Sequence, residues 1–269
     1  MLLSLWLACA STPSPIVMDV AAQAVPVPTE PEAIEKGRAL VLDVTGCVEC
    51  HGTRLEGLAY IDGFPMGHVV GPNLTTLAPD YEPVDWVRAI RHGVGKDGHA
   101  LLMMPSHDYA RLTAGDLGAM IAYLEQLKPI DNDPGDLTLG PVGKMLVSKG
   151  KWAYHANDVD HDAPIPEDTG ARGEYLANVS GCMGCHGGGV GKGFGPGQPV
   201  SANITPHEAD GIGTWSFEDF DKAMRKGIRP DGRELDPMMP WKAYASWPED
   251  DLKAVYDFLM ALPPQATPE

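Results

Sequence analysis

Apolar residues recur at helical spacing in six stretches, and the stretches fall into three matched pairs: 32–45 with 168–180, 84–92 with 217–226, and 113–127 with 248–262. In 113–127, Leu117, Met120, Ile121 and Leu124 share one helical face. Thr113 with Asp116, and Ser216 with Asp219, have the spacing of an N-cap and capping box. No stretch alternates with the two-residue period of a strand. The pattern predicts an all-α fold. Residues 129–167, rich in Pro, Asp and Gly, read as a linker crossing a surface.

The pairing is part of an internal repeat with an offset of about 135 residues. "KGRALVLDVTGCVECHG" answers "RGEYLANVSGCMGCHG", and "GPNLT" (71–75) answers "SANIT" (201–205). "WVRAIRHGVGKDG" (86–98) answers "FDKAMRKGIRPDG" (220–232), and "MMPSHDY" (103–109) answers "MMPWKAY" (238–244). Both copies need one explanation. The divisions expected are a leader and tether over 1–31, a first domain over 32–128, the linker over 129–167 and a second domain over 168–269.

Each copy holds one C-x-x-C-H: Cys47, Cys50 and His51, then Cys182, Cys185 and His186. A thiol–disulfide pair needs a βαβ context, and a four-cysteine zinc site needs its two pairs within roughly 15–20 residues. Neither is present. Covalent haem attachment remains: two thiols add to the haem vinyl groups and the adjacent His ligates iron. The expected cofactors are two covalently bound haem c. The sixth iron position is expected to be filled by Met104 and Met239, each 53 residues after its histidine, each followed by Pro and, five residues on, by Tyr. His opposite Met suits electron transfer. Met103 and Met238 are also matched, and the Met directly before Pro is chosen because a fixed backbone helps aim the sulfur. His68, His92, His99, His107 and His207 are the alternative distal ligands, without a matched pair among them. Tyr109 and Tyr244 sit near the Met and are expected at the cofactor. Arg91 and Arg225 either pair with propionates or lie on a solvated face. Trp86, Trp215 and Trp241 pack on haem edges or in the core.

These motifs resemble the class I c-type cytochromes, and more closely the cytochrome c subunits of periplasmic or membrane-bound dehydrogenases. The resemblance covers about 33–127 and 168–262. Its marks are "CVECH" and "CMGCH", "PNLT" and "ANIT", "GIGTWSFEDF", "PDGRELDPMMPW" and "VDHDAP". Such subunits often carry three haems, whereas this chain has two motifs. The resemblance implies two tandem cytochrome c domains with long loops around haem. It also implies that a loop proline carbonyl holds the proximal His, a role that falls to Pro72 in the first copy. The second copy has Ala202 there, with Pro196 and Pro199 nearby.

Glycine and proline number 31 and 25, consistent with a chain wrapped around something besides its own side chains. The formal net charge is −17, with −4 in residues 1–35 and −5 in 129–169. That excludes nucleic acid, which needs a cationic footprint, and favours a solvated surface or a basic docking face on a redox partner: a dehydrogenase, an oxidase or a small cytochrome. "MLLSLWLACAS" is apolar, too short to span a bilayer and without a basic n-region, yet resembles the remnant of an export signal. Leu7-Ala8-Cys9 resembles a lipobox with Trp6 where Leu is usual, so Cys9 is a candidate for lipidation. Residues 11–31 read as a flexible tether. The expected location is the periplasm, free or lipid-anchored. The reading is an electron carrier rather than an enzyme; the alternative is a dihaem peroxidase or small-anion oxidase, which needs one open iron site.

Overall fold

The computed structural model describes residues 16–193 and 200–268, so Cys9, the leader, Pro196 and Pro199 lie outside the described residues. The first half runs α1 (Pro31–Ala39), a π-helical turn (Leu40–Val44), α2 (Cys47–His51), β1 (Leu58–Gly63), β2 (Gly67–Gly71), α3 (Leu74–Leu77), α4 (Pro83–His92), α5 (Ser106–Tyr109) and α6 (Ala114–Leu124). The connecting segment holds β3 (Thr138–Leu139), α7 (Pro141–Ser148) and a 3-10 turn (His155–Asp158). The second half runs α8 (Arg172–Val179), α9 (Cys182–Cys185), α10 (Phe217–Lys226), α11 (Trp241–Tyr244) and α12 (Glu249–Ala261).

In each half the first helix crosses the last, α1 on α6 and α8 on α12. Both crossings need a residue without a side chain. A β-carbon on Gly37 would overlap the Ala119 carbonyl, and one on Gly173 would overlap the Ala254 carbonyl. This close approach is why "KGRAL" and "RGEYL" share their glycine.

The caps differ from expectation at one of two places. Ser216 and Asp219 form the reciprocal box at α10. Thr113 accepts from the Asp116 N–H, but Asp116 does not reciprocate. Its carboxylate instead lies 2.5 Å from Lys36 Nζ and accepts from Tyr175 Oη at 2.5 Å, a bond between the two halves. A box that sequence reading passed over, Glu82 with Asp85, caps α4.

The all-α expectation needs correction. The chain is helix-rich, but β1, β2 and β3 form a small antiparallel sheet in that order, with a bulge between Ala59 and Ile61. The alternation was too short to read, since Val69 is the one buried non-glycine residue of β2. The segment of linker composition is also structured: β3 extends the sheet, and Leu146 and Trp152 are buried against Val69. Nor do residues 16–27 behave as a tether. Val17 bridges to His99, Met18 N–H donates to the Gly98 carbonyl at 2.9 Å, and Val20 and Val25 are buried.

One apolar cluster runs through both halves, from Val25 and Leu40 through Leu117, Met120 and Ile121 to Leu176, Leu252 and Leu259. Burying each such side chain contributes roughly 1.5–3 kcal/mol. Trp247 seals the junction, 5% exposed, with Nε1–H donating to the Asp43 carbonyl at 3.0 Å.

Candidate functional site

Each C-x-x-C-H forms a single helical turn entered from a left-handed glycine, Gly46 (φ 67°) or Gly181 (φ 80°). A hydroxyl one residue before that glycine stabilises the entry. Thr45 Oγ1 lies 2.9 Å from the Leu40 carbonyl and 3.2 Å from Cys47 Sγ; Ser180 Oγ lies 2.7 Å from the Leu176 carbonyl and 3.3 Å from Cys182 Sγ. The backbone carbonyls of the same two residues accept from the buried tyrosines: Tyr109 Oη at 2.5 Å from Thr45 O, and Tyr244 Oη at 3.0 Å from Ser180 O. Both tyrosines are 5% exposed. Each therefore ties the loop five residues after its Met to the turn before its cysteines.

His51 and His186 are each 8% exposed. His51 Nδ1 lies 2.9 Å from the Pro72 carbonyl, and His186 Nδ1 lies 2.6 Å from the Ala202 carbonyl. The departure at Ala202 is thus immaterial, because the group used is a backbone carbonyl. The carbonyl fixes Nδ1 as the donor and leaves Nε2 with the free lone pair. Burial pushes both imidazoles down, opposed by the carbonyl bond, so each is neutral near pH 7. A shared Asn-Thr device, which the matched "PNLT" and "ANIT" signalled, shapes each carbonyl loop. Asn73 Oδ1 accepts from Thr75 N–H (3.0 Å) and Oγ1 (2.6 Å), and Asn203 Oδ1 from Thr205 N–H (2.9 Å) and Oγ1 (2.7 Å). Asn73 Nδ2 then clasps the Ile130 and Asn132 carbonyls, and Asn203 Nδ2 clasps the Gln265 carbonyl and Thr267 Oγ1.

All four motif cysteines are unpaired. Burial pushes the thiols up, Cys50 and Cys182 to about 11. A dithiol redox centre needs a lowered thiol pKa, so these pairs are poor exchange catalysts. Unpaired thiols beside a buried neutral imidazole with a free Nε2 fit covalent haem with a proximal His. In the same apolar cluster, Trp86 Nε1 is buried without a hydrogen-bond partner, a donor that protein atoms do not satisfy.

The paired methionines separate. Met104 and Met239 pack against the cluster that Cys47 and Cys182 also touch. Met103, in a left-handed backbone (φ 61°), packs in the outer cluster with Leu146 and Trp152, its Sδ 3.8 Å from Tyr60 Oη. Met238 is 47% exposed. The candidate distal histidines are engaged elsewhere: His68 with Asp62 and the Pro134 carbonyl, His92 with His161, His99 with Asp97, His107 stacked on His155, and His207 with the Asp210 N–H. Arg91 and Arg225 bind main-chain carbonyls: Arg91 those of Ala110, Ala163 and Pro164, and Arg225 those of Ala245 and Trp247. Their shared task is to clamp the exit of the Met loop. Trp86 is core, tilted against Tyr81; Trp215 carries the Arg229 guanidinium over its ring, and Trp241 lies over Gly227.

Comparison with known proteins matches a cytochrome family model in each half of the chain. Residues 170–263 match the family model described as "Cytochrome c", and residues 32–124 match that described as "Cytochrome C oxidase, cbb3-type, subunit III". The chain is 42% identical over 127 residues to an alcohol dehydrogenase (quinone) cytochrome c subunit of Gluconobacter oxydans (strain 621H), covering 44% of this chain and 25% of that one. It is 39% identical over 124 residues to the gluconate 2-dehydrogenase cytochrome c subunit of Pantoea cypripedii, covering 43% and 27%. It is 39% identical over 99 residues to the fructose dehydrogenase cytochrome subunit of Gluconobacter japonicus, covering 34% and 20%. The matched stretches thus span about a quarter of those relatives. A chain with cytochrome c domains in both halves, and with these relatives, belongs to the c-type cytochromes and resembles the cytochrome c subunits of dehydrogenases.

Proposed function

We propose that the chain is a dihaem electron carrier that takes electrons from a dehydrogenase and passes them to a downstream redox protein. One haem c is held by Cys47, Cys50, His51 and Met104, the other by Cys182, Cys185, His186 and Met239. The observation that carries this reading is the duplicated constellation: in each half, unpaired thiols, a neutral histidine bound to a carbonyl at Nδ1, and one inward methionine. When bound, haem supplies the one-electron couple, and thioether ligation favours its reduced state. The protein's own part is to hold each imidazole neutral and aimed, to fix the Met loop through Tyr109 or Tyr244 and Arg91 or Arg225, and to keep water out with the shared core. Two matched methionines leave no open position for peroxide or a small anion. The relatives' names support a dehydrogenase as donor, and the acidic chain favours a basic docking face. Covalent haem requires maturation outside the cytoplasmic membrane, so the periplasm is the proposed location, with lipidation at Cys9 as the proposed anchor. No helix among the described residues is long and apolar enough to cross a membrane.

Mass spectrometry of the mature protein tests the count. Two haem additions should survive acid–acetone extraction, and the oxidised protein should be low-spin and inert to peroxide. A single addition, or peroxide turnover at a high-spin centre, would overturn the reading.

A further inference from the structure

Two of the positions at which the copies differ bring Asp108 of the first copy against Gly184 of the second. In the Met loop, Asp108 of the first copy is matched by Ala243; within the C-x-x-C-H, Glu49 of the first copy is matched by Gly184. Asp108 is 7% exposed, and its carboxylate lies on the backbone of α9 in the other half. An ideal β-carbon on Gly184 would stand 2.7 Å from Oδ2 and 3.0 Å from Oδ1, and one on Gly181 would stand 3.9 Å from Oδ2. Any side chain at 184 would displace the carboxylate, so the glycine of "CMGCH" and the aspartate of "SHDY" are mutually fitted.

The charge at this place is poorly compensated. Among the described residues, no lysine or arginine nitrogen lies within 4 Å of Asp108; the one basic group within that distance is His107, its Nε2 at 3.5 Å. Burial pushes His107 down to about 4, so that ring is neutral near pH 7. Arg111 and Lys192 act on Asp108 from farther away, and burial nevertheless pushes it up to about 6, which leaves it ionised in mildly alkaline solution. Its field reaches Cys182 and Cys185. Glu49 is the carboxylate that acts on Cys50. The two are unequal, because Glu49 is exposed and screened by water whereas Asp108 is buried.

We propose that Asp108, supplied by the first half, is a positioning residue for the second redox centre: its buried negative charge holds down the potential of the haem at Cys182, Cys185 and His186. Reduction adds one electron to the iron and removes one unit of positive charge. A fixed anion nearby therefore stabilises the oxidised form more than the reduced form. The inference rests on the two-haem reading above.

The test is a spectroelectrochemical titration of the full-length, haem-loaded protein in mildly alkaline buffer, with the second centre's wave assigned by His186→Met. Asp108→Asn is expected to raise the midpoint of that wave and leave the other in place, and Asp108→Glu to return it toward the wild-type value. A merely structural role would not give this sign or this selectivity with haem content unchanged and the melting temperature no lower than that of the wild type. Should Asp108→Asn not retain haem, Asp108→Ser takes its place with the same expectation. Unmoved waves, a fall in the second midpoint, or a shift confined to the first would overturn the proposal. A wild-type count below two haems would overturn the two-haem reading, and so is told apart.

Discussion

Met104 and Met239 face the same apolar cluster as the motif cysteines, while Met103 and Met238 turn out of it. Replacing Met104 or Met239 by Ala should remove part of the far-red thioether–ferric haem band and lower one midpoint, leaving the other centre unchanged. Met103→Ala should keep the band and cost roughly 1–3 kcal/mol, since its side chain is half-buried. Met238→Ala should keep it within about 0.5 kcal/mol of wild-type stability. Absorbance and thermal melts of the four variants decide the matter, and an unaltered band in all four would sink Met ligation at these loops. Which methionine of each pair turns toward the shared core follows the position of Pro105 and Pro240, each of which comes directly after the inward one. Asp108 was not readable as special: a charged residue in a loop is ordinary until the fold buries it against the other half.

At the scale of elements, the paired helices, the cap at Ser216 and the motif turns were legible because each is fixed by residues close in sequence. The sheet was not, because its strands are short and β3 arrives from 67 residues beyond β2's last residue, Gly71. The docking of the connecting segment was hidden for the same reason. Two histidine pairs fasten it: His92 Nδ1 is 3.0 Å from His161 Nδ1, and the His107 and His155 rings stack at 4.1 Å. Burial pushes His92 and His107 from the usual 6.5 to about 4. An imidazole depressed on folding binds its proton more readily in the unfolded chain. The stability it contributes is therefore present above pH 6.5 and lost as pH falls toward 4. Asp108, pushed up to about 6 by burial, works in the opposite sense over the lower part of that window, one group against two. The melting temperature should fall between about pH 6.5 and about pH 4.5, with faster proteolysis at 149–170, and His92→Gln should flatten the dependence. A melting temperature constant across that range would contradict this account.

Across the whole molecule, one core passes between the halves, so they should unfold together. Trp247 packs edge-on to Tyr244, with ring centroids 5.3 Å apart, and caps the first half through the Asp43 carbonyl. Trp247→Ala should cost about 3–5 kcal/mol. Calorimetry should then resolve two transitions where the wild type shows one; a single transition in the variant would mean that other contacts suffice to couple the halves. The Asn-Thr clasps carry a consequence for the order of events. The carbonyl that orients His51 is locked once residues 130–132 have reached Asn73, but the one that orients His186 waits for Gln265 and Thr267. In a chain delivered N-terminus first, the first site can be completed while the second is still open. Haem joined early to Cys182 and Cys185 would meet a histidine whose loop has yet to be fastened. The two sites are alike in space and unlike in time, and the residues that set their timing lie beyond the last helix of each repeat.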